Sequence, residues 1–257
     1  MKRFRAHLTL KEGVKPKFCR PRSVPFAIKE TVAREIDRLE ENGTLRRVEH
    51  SEWGTPIVPV PKKDGNIRIC GDFKVTLNPA LQVEQYPLPK PSDLLASLSG
   101  GQRFTKLDLS SAYHQILLDD DSSKLVAINT HKGVCEYTRL PFGVASALAL
   151  FQRAMDSILQ GIPGVICYLD DILITGESDT AHLKNLEEVL RRLQEEGMRL
   201  QKDKCKFFQE SIEYLGHHIQ GRIQELKKGG SFERVRAERA EKFWVTTPTF
   251  SNHAHFN

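Results

Sequence analysis

The sequence predicts an α+β fold, and three observations carry that expectation. Two short β-rich runs, IVPV and IRIC, are joined by Lys63-Asp64-Gly65-Asn66, and Asp-Gly between such runs reads as a hairpin. VICYLDDILIT sets a polar pair between two apolar, β-branched runs, which reads as a second hairpin with Asp170 and Asp171 at its tip. Leu183, Leu186, Val189, Leu190 and Leu193 form one helical stripe behind the capping candidates Ser178, Asp179 and Thr180, with Gly197 at the end.

The remaining elements follow in order. Residues 1–23 form a basic, extended lead-in, because Pro16, Pro21 and, just beyond, Pro25 disfavour regular structure. Ile28, Val32, Ile36 and Leu39 recur at near-helical spacing and Gly43 sits where a helix would be capped. After the first hairpin, residues 79–92 carry Pro79, Pro87, Pro89 and Pro91 and read as a connector. Strands are expected at 103–109, 115–118 and 124–128, with a turn at 110–114 and a helix at about 145–160. Residues 220–257 lose this periodicity and read as a poorly ordered basic tail.

A 257-residue chain with 39% hydrophobic residues can bury a substantial core. The formal charge of +5 permits a polyanionic partner without requiring one. Its distribution is more informative: residues 1–50 hold 13 Lys/Arg against 7 Asp/Glu, whereas residues 111–176 hold 4 against 7. The five cysteines are scattered and show no C-x-x-C pair, so neither a zinc site nor a disulfide framework is indicated, and a reducing intracellular compartment fits best. No run approaches the roughly 20 apolar residues of a membrane span, so a soluble protein without a membrane partner is expected.

Three aspartates carry the chemistry. Asp108 ends the apolar run FTKLDL, and Asp170-Asp171 interrupts VICYL and ILIT. Ionised carboxylates between buried strands lose their water, so a cation is expected to neutralise them. Magnesium takes carboxylate oxygens together with substrate phosphates, and two such ions can clamp both oxygens of a phosphoryl transfer. Taken alone, Asp-Asp at a hairpin tip is a solvated turn, and Asp108-Leu-Ser-Ser is a helix cap. The surrounding segments reverse those odds.

YLDD between apolar strands, FTKLDLSSAYHQI, LPFG and HLKNLEEVLRRLQEEG together resemble the reverse transcriptase of gypsy-class long-terminal-repeat retrotransposons. SEWGTPIVPVPKKDGNIRICGDFKVTLN resembles that family's fingers segment, QYPLPKPSDLLASLSGG its crossing into the palm, and CKFFQESIEYLGHHI the end of the palm. The resemblance covers about residues 24–219, with the segments in the family's order. It implies a right-hand polymerase, with fingers at 24–93 and a palm at 94–219 that has part of the fingers inserted and an antiparallel sheet backed by helices.

By the same resemblance, Asp108, Asp170 and Asp171 match a catalytic triad that binds two magnesium ions, for which manganese substitutes, with the Leu109 carbonyl as a further metal contact. Lys62 or Lys63 and Arg68 match the groups that hold the triphosphate of a deoxynucleotide; Arg offers a planar fork to phosphate oxygens and Lys a mobile charge. Tyr113 matches the aromatic gate against a 2′-hydroxyl, and Phe142 and Gly143 the loop beside the base and ribose. Trp53 and Pro56 resemble template-facing residues, where an aromatic ring can stack on a base. Tyr214, Leu215 and Gly216 resemble the element that positions the primer end on an RNA or DNA template.

Three departures stand out. Leu148 replaces the family's usual proline, which is expected to loosen the nucleotide pocket. Gly71 stands where valine is common, and glycine weakens a strand. After Ile219 the thumb, connection and ribonuclease H segments are absent, as in a truncation or frameshift product, so weak, distributive synthesis is expected. Two other readings stay open: an inactive remnant that binds nucleic acid through the basic residues 1–50, and another palm-type enzyme such as a nucleotide cyclase or an RNA-directed RNA polymerase.

Overall fold

The computed structural model describes residues 1–224 apart from Lys63, Asp64, Ser99, Gly216 and Gly221. The elements run β1 (Arg5–Ala6), α1 (Phe26–Glu41), β2 (Leu45–Val48), β3 (Thr55–Pro61), β4 (Ile67–Gly71), α2 (Pro91–Ala96), β5 (Arg103–Asp108), β6 (Leu117–Leu118) and α3 (Asp120–Leu125). They continue with β7 (Ala127–Thr130), β8 (Gly133–Tyr137), α4 (Ala147–Leu159), β9 (Val165–Tyr168), β10 (Asp171–Gly176), α5 (Asp179–Glu195), β11 (Lys206–Gln209), β12 (Ile212–Tyr214), β13 (His217–Gln220) and β14 (Arg222–Gln224).

The α+β expectation holds. Five strands in the order β2-β8-β7-β3-β4 form one sheet, and four in the order β11-β5-β10-β9 form another. Helix α1 packs on the first, while α4 and α5 pack on the second and on each other. Val32, Ile36 and Leu39 are the buried face of α1, and Gly43 closes it at φ +70°. A left-handed residue there lets the chain leave the helix, and glycine adopts it without strain.

Several expectations change. The lead-in is extended, yet it is not peripheral. Strand β1 pairs in parallel with β6, and Met1, Ala6 and Leu8 are buried in the main core. Isolated bridges join Leu10 to Leu81 and Phe18 to Gly54. Proline excluded long strands, but single bridges need only one or two free backbone groups.

The strand expected at 124–128 is split. Asp119 accepts a hydrogen bond from the Ser122 backbone N–H at 2.8 Å and caps α3, so β7 starts only at Ala127. Strand β8, absent from the sequence reading, pairs with β2 and β7. In α5, Ser178 caps the helix as expected and Leu186, Val189 and Leu193 are buried. Leu183 and Leu190 instead face solvent, and His182 and Asn185 take the inner face. Their polar atoms bond the sheet beneath: His182 Nε2 meets the Thr105 hydroxyl at 2.8 Å, and Asn185 donates to the Thr175 carbonyl. The first residues of the expected tail also extend the fold, since Ile223 of β14 pairs with Ile219 of β13. The rest of that tail, 225–257, lies outside the described residues.

Candidate active site

Strand β5 and the β9–β10 hairpin meet where the sequence could not place them. Strands β5 and β10 are antiparallel neighbours, with Asp171 directly across from Asp108. The Leu109 N–H donates to the Asp170 carbonyl at 3.2 Å, which ties the third aspartate to the end of β5. The hairpin tip itself is Leu169-Asp170, because Asp171 already pairs with Tyr168. Asp171 is thus the first residue of a central strand, not a tip residue, and is only 3% exposed.

That turn is held from behind. Leu169 has φ +60°, a left-handed conformation costly for a residue with a side chain. The fully buried Gln152 of α4 accepts from the Leu169 N–H at 3.1 Å and donates to the Cys167 carbonyl at 2.9 Å. Leu148, one turn earlier on the helix, packs against the small cluster containing Tyr168, Leu169 and Tyr214. The position expected to loosen the pocket therefore contributes apolar contact beneath the turn. Gly71 is likewise filled: a Cβ there would lie 2.7 Å from the Phe73 ring, whose edge occupies the space a side chain would take.

Two lysines face the carboxylates. Lys106 Nζ lies 2.9 Å from Asp171 Oδ2, and Lys204 Nζ lies 3.7 Å from Asp108 Oδ1. Burial raises the Asp108 carboxyl above its ordinary value, Asp170 and Asp171 push it the same way, and Lys204 and Lys106 oppose them. Tyr214, expected near a primer end, sits below this centre: its hydroxyl donates to the Asp171 carbonyl at 3.4 Å.

A cavity of about 550 Å³ opens in front of the aspartates. Lys62 and Arg68 line it from the β3–β4 hairpin, Asp108, Leu109, Asp170 and Asp171 from the four-stranded sheet, and Tyr113 and Phe142 from between. The Arg68 guanidinium lies 4.9 Å from the centre of the Phe142 ring, and the Tyr113 ring meets Phe142 edge-on at 5.2 Å. Gly143 has φ +92°, and its carbonyl and the Ala145 N–H are both bonded by the side chain of Asn78, at 2.8 and 2.9 Å. That two-point clamp fixes the Phe142-Gly143 loop.

Not every expected residue joins the cavity. Trp53 is 3% exposed and belongs to the core, so its ring is not available to stack on a base. Pro56 is also buried, in β3. Lys63 and Gly216 lie outside the described residues, and Leu215 is buried at φ +53°. Conversely, Lys106, Gln152, Asn78 and Lys204 went unread in the sequence. Lys106 stands two residues before Asp108, hence on the same strand face. Gln152 breaks the apolar face of α4. Asn78 and Lys204 leave no local pattern at all.

The donor set suits a hard divalent cation, since the carboxylate oxygens of Asp108, Asp170 and Asp171 line one cavity together with Leu109. Asp171 is meanwhile paired with Lys106, and among the described residues no three acidic side chains gather tightly enough to hold one ion as they stand.

Known proteins resemble this chain in sequence and in fold. Residues 60–219 match the family model "Reverse transcriptase (RNA-dependent DNA polymerase)". An uncharacterized protein of Caenorhabditis elegans is 38% identical over 241 residues, covering 93% of this chain and 19% of its own length. The transposon Tf2-3 polyprotein of Schizosaccharomyces pombe is 39% identical over 187 residues, covering 72% of this chain and 14% of its own length. The chain thus spans under a fifth of these relatives. Among solved structures, a foamy viral protease-reverse transcriptase in complex with double-stranded DNA superposes with a TM-score of 0.79 at 26% identity, over 96% of this chain and 42% of that one. The same viral enzyme with an RNA/DNA hybrid gives 0.77 at 27% identity, over 86% of this chain and 30% of that one. With the family model matching residues 60–219 and a relative 38% identical over 93% of the chain, the chain belongs to the reverse transcriptase (RNA-dependent DNA polymerase) family.

Proposed function

We propose that this chain carries the polymerase site of an RNA-directed DNA polymerase from a gypsy-class retrotransposon. Residues 24–93 serve as fingers and 94–219 as palm. Strands β7 and β8 lie within the palm's sequence span but pair with β2 and β3, which supports an inserted fingers segment. The reaction transfers a nucleotidyl group from a deoxynucleoside triphosphate to a primer 3′-hydroxyl, with pyrophosphate as the leaving group. The single observation carrying this reading is the pairing of Asp108 with Asp171 at a cavity that Lys62 and Arg68 of the β3–β4 hairpin also line.

Asp108, Asp170, Asp171 and the Leu109 carbonyl would hold two magnesium ions, or manganese in their place, which supply charge stabilisation to the attacking and leaving oxygens. Arg68, Lys62 and Lys63 bind and orient the triphosphate through charge-assisted hydrogen bonds. Tyr113, packed between Phe142 and Phe151, is a ring that cannot yield easily and so excludes a ribose 2′-hydroxyl. Phe142 and Gly143 flank the base and sugar. Tyr214, whose hydroxyl bonds the Asp171 carbonyl, supports the primer end together with Leu215 and Gly216. The RNA/DNA hybrid and double-stranded DNA bound by the foamy viral relatives support a template-primer as the partner.

Primer extension on a primed RNA template tests this, with magnesium or manganese and either deoxy- or ribonucleotides. Incorporation of deoxynucleotides that disappears in Asp170→Asn/Asp171→Asn supports the assignment. Absence of incorporation at high protein concentration, with template binding unchanged in the double variant, sinks it in favour of a nucleic-acid-binding remnant.

A further inference from the structure

The turn bearing Asp170 is connected to a distant part of the chain by an unbroken hydrogen-bonded path. Tyr86, in the segment between β4 and α2, donates from its hydroxyl to Asp156 Oδ2 at 2.8 Å. Gln152 Nε2 donates to Asp156 Oδ1 at 2.8 Å as well as to the Cys167 carbonyl. Gln152 Oε1 then accepts from the Leu169 N–H. The segment holding Tyr86 is itself pinned to α4, since the Glu84 N–H donates to the Ser146 hydroxyl and Arg153 pairs with the Glu84 carboxylate.

The chemistry of this path fixes one orientation of a buried amide. Cys167 offers only a carbonyl and Asp156 a carboxylate, both acceptors, whereas Leu169 offers a donor. Only the arrangement with Nε2 toward Asp156 and Cys167 satisfies all three. Rotating the amide by half a turn would set its oxygen against two acceptors and leave the Leu169 N–H facing an NH₂ group. The Cys167 carbonyl and the Leu169 N–H already favour this choice, each as a neutral partner. Asp156 adds a second, charged acceptor, and a hydrogen bond to a charged group is the stronger kind. Tyr86 in turn holds the Asp156 carboxylate in place by occupying its other oxygen.

We propose that Asp156 is a positioning residue for the Leu169-Asp170 turn, acting through Gln152 and set by Tyr86, so that the segment entering the four-stranded sheet orients the aspartate turn. The exchange experiment below stands on its own; only its metal arm rests on the reading of Asp170 as a metal ligand.

The test is amide hydrogen exchange of the whole metal-free chain, resolved at Leu169 and at Leu173 in β10. Loss of one well-placed hydrogen bond corresponds to exchange about tenfold faster at Leu169 in Asp156→Leu. Asp156→Asn, which keeps one acceptor for Gln152, should show a smaller increase, and Tyr86→Phe about two- to threefold. A merely destabilised protein would speed Leu169 and Leu173 together, so the ratio of the two is the readout. An unchanged ratio in Asp156→Leu overturns the proposal. In the second arm, Asp156→Leu should raise the magnesium concentration needed for half-maximal primer extension about threefold or more while leaving the deoxynucleotide KM unaltered, because Lys62 and Arg68 belong to the β3–β4 hairpin, outside this path. If the unsubstituted chain extends no primer, the polymerase reading fails, and the exchange ratio still decides the role of Asp156.

Discussion

Lys106 Nζ lies 2.9 Å from Asp171 Oδ2, and both side chains are largely buried. An ammonium thus neutralises the carboxylate that a metal would also require. Lys106→Met should destabilise the metal-free protein by about 2 kcal/mol, because it leaves a buried carboxylate without its cation. Added magnesium should recover part of that loss. Thermal unfolding with EDTA and with magnesium reads both effects; a midpoint equal to that of the parent in EDTA refutes the role.

Asn78 should govern nucleotide affinity more than turnover. Its side chain bonds the Gly143 carbonyl and the Ala145 N–H and so holds the loop carrying Phe142. Asn78→Ala removes both bonds, at a cost of about 1–3 kcal/mol in stability. In steady-state primer extension the deoxynucleotide KM should rise several-fold and kcat should change little.

His114 predicts acid sensitivity. Burial, reinforced by Arg68, Arg139, Arg38 and Lys62, lowers its imidazole from the ordinary value of 6.5 to about 3. The unfolded chain therefore takes up a proton below pH 6.5 that the folded chain refuses until about pH 3. Stability from this group is complete above the unfolded value and is lost as pH falls between the two. His114→Phe, which keeps an aromatic ring against Phe142 and Tyr137, should show a smaller drop in Tm between pH 7 and pH 5. An equal drop in parent and variant excludes His114 as the source.

Gly71 and Phe73 should behave as a coupled pair. A Cβ at Gly71 would lie 2.7 Å from the Phe73 ring and 3.2 Å from Ile128 Cγ2. Gly71→Val alone should cost about 1–3 kcal/mol through overpacking. In a Phe73→Leu background, where the ring is gone, the same substitution should cost less, so the two changes will not add. Strict additivity in denaturant unfolding would show that the ring does not fill that space.

The sequence by itself determined which segments pair locally and which residues carry charge into the core. The β3–β4 and β9–β10 hairpins, helices α1, α4 and α5, and the three aspartates were legible because strand alternation, helical spacing and turn chemistry act between residues close in the chain. What went unread was non-local. Asp108 faces Asp171 across a strand pairing that spans 63 positions; Met1 and Leu8, on either side of the β1–β6 pairing, join the core; and Trp53 is buried rather than offered to a base. No local pattern specifies those contacts, since burial and register depend on what the rest of the chain brings to each surface. Only the tertiary structure decided that Asp171 opens a central strand beside Lys106, and that Gln152 of a separate helix secures the turn on which Asp170 stands.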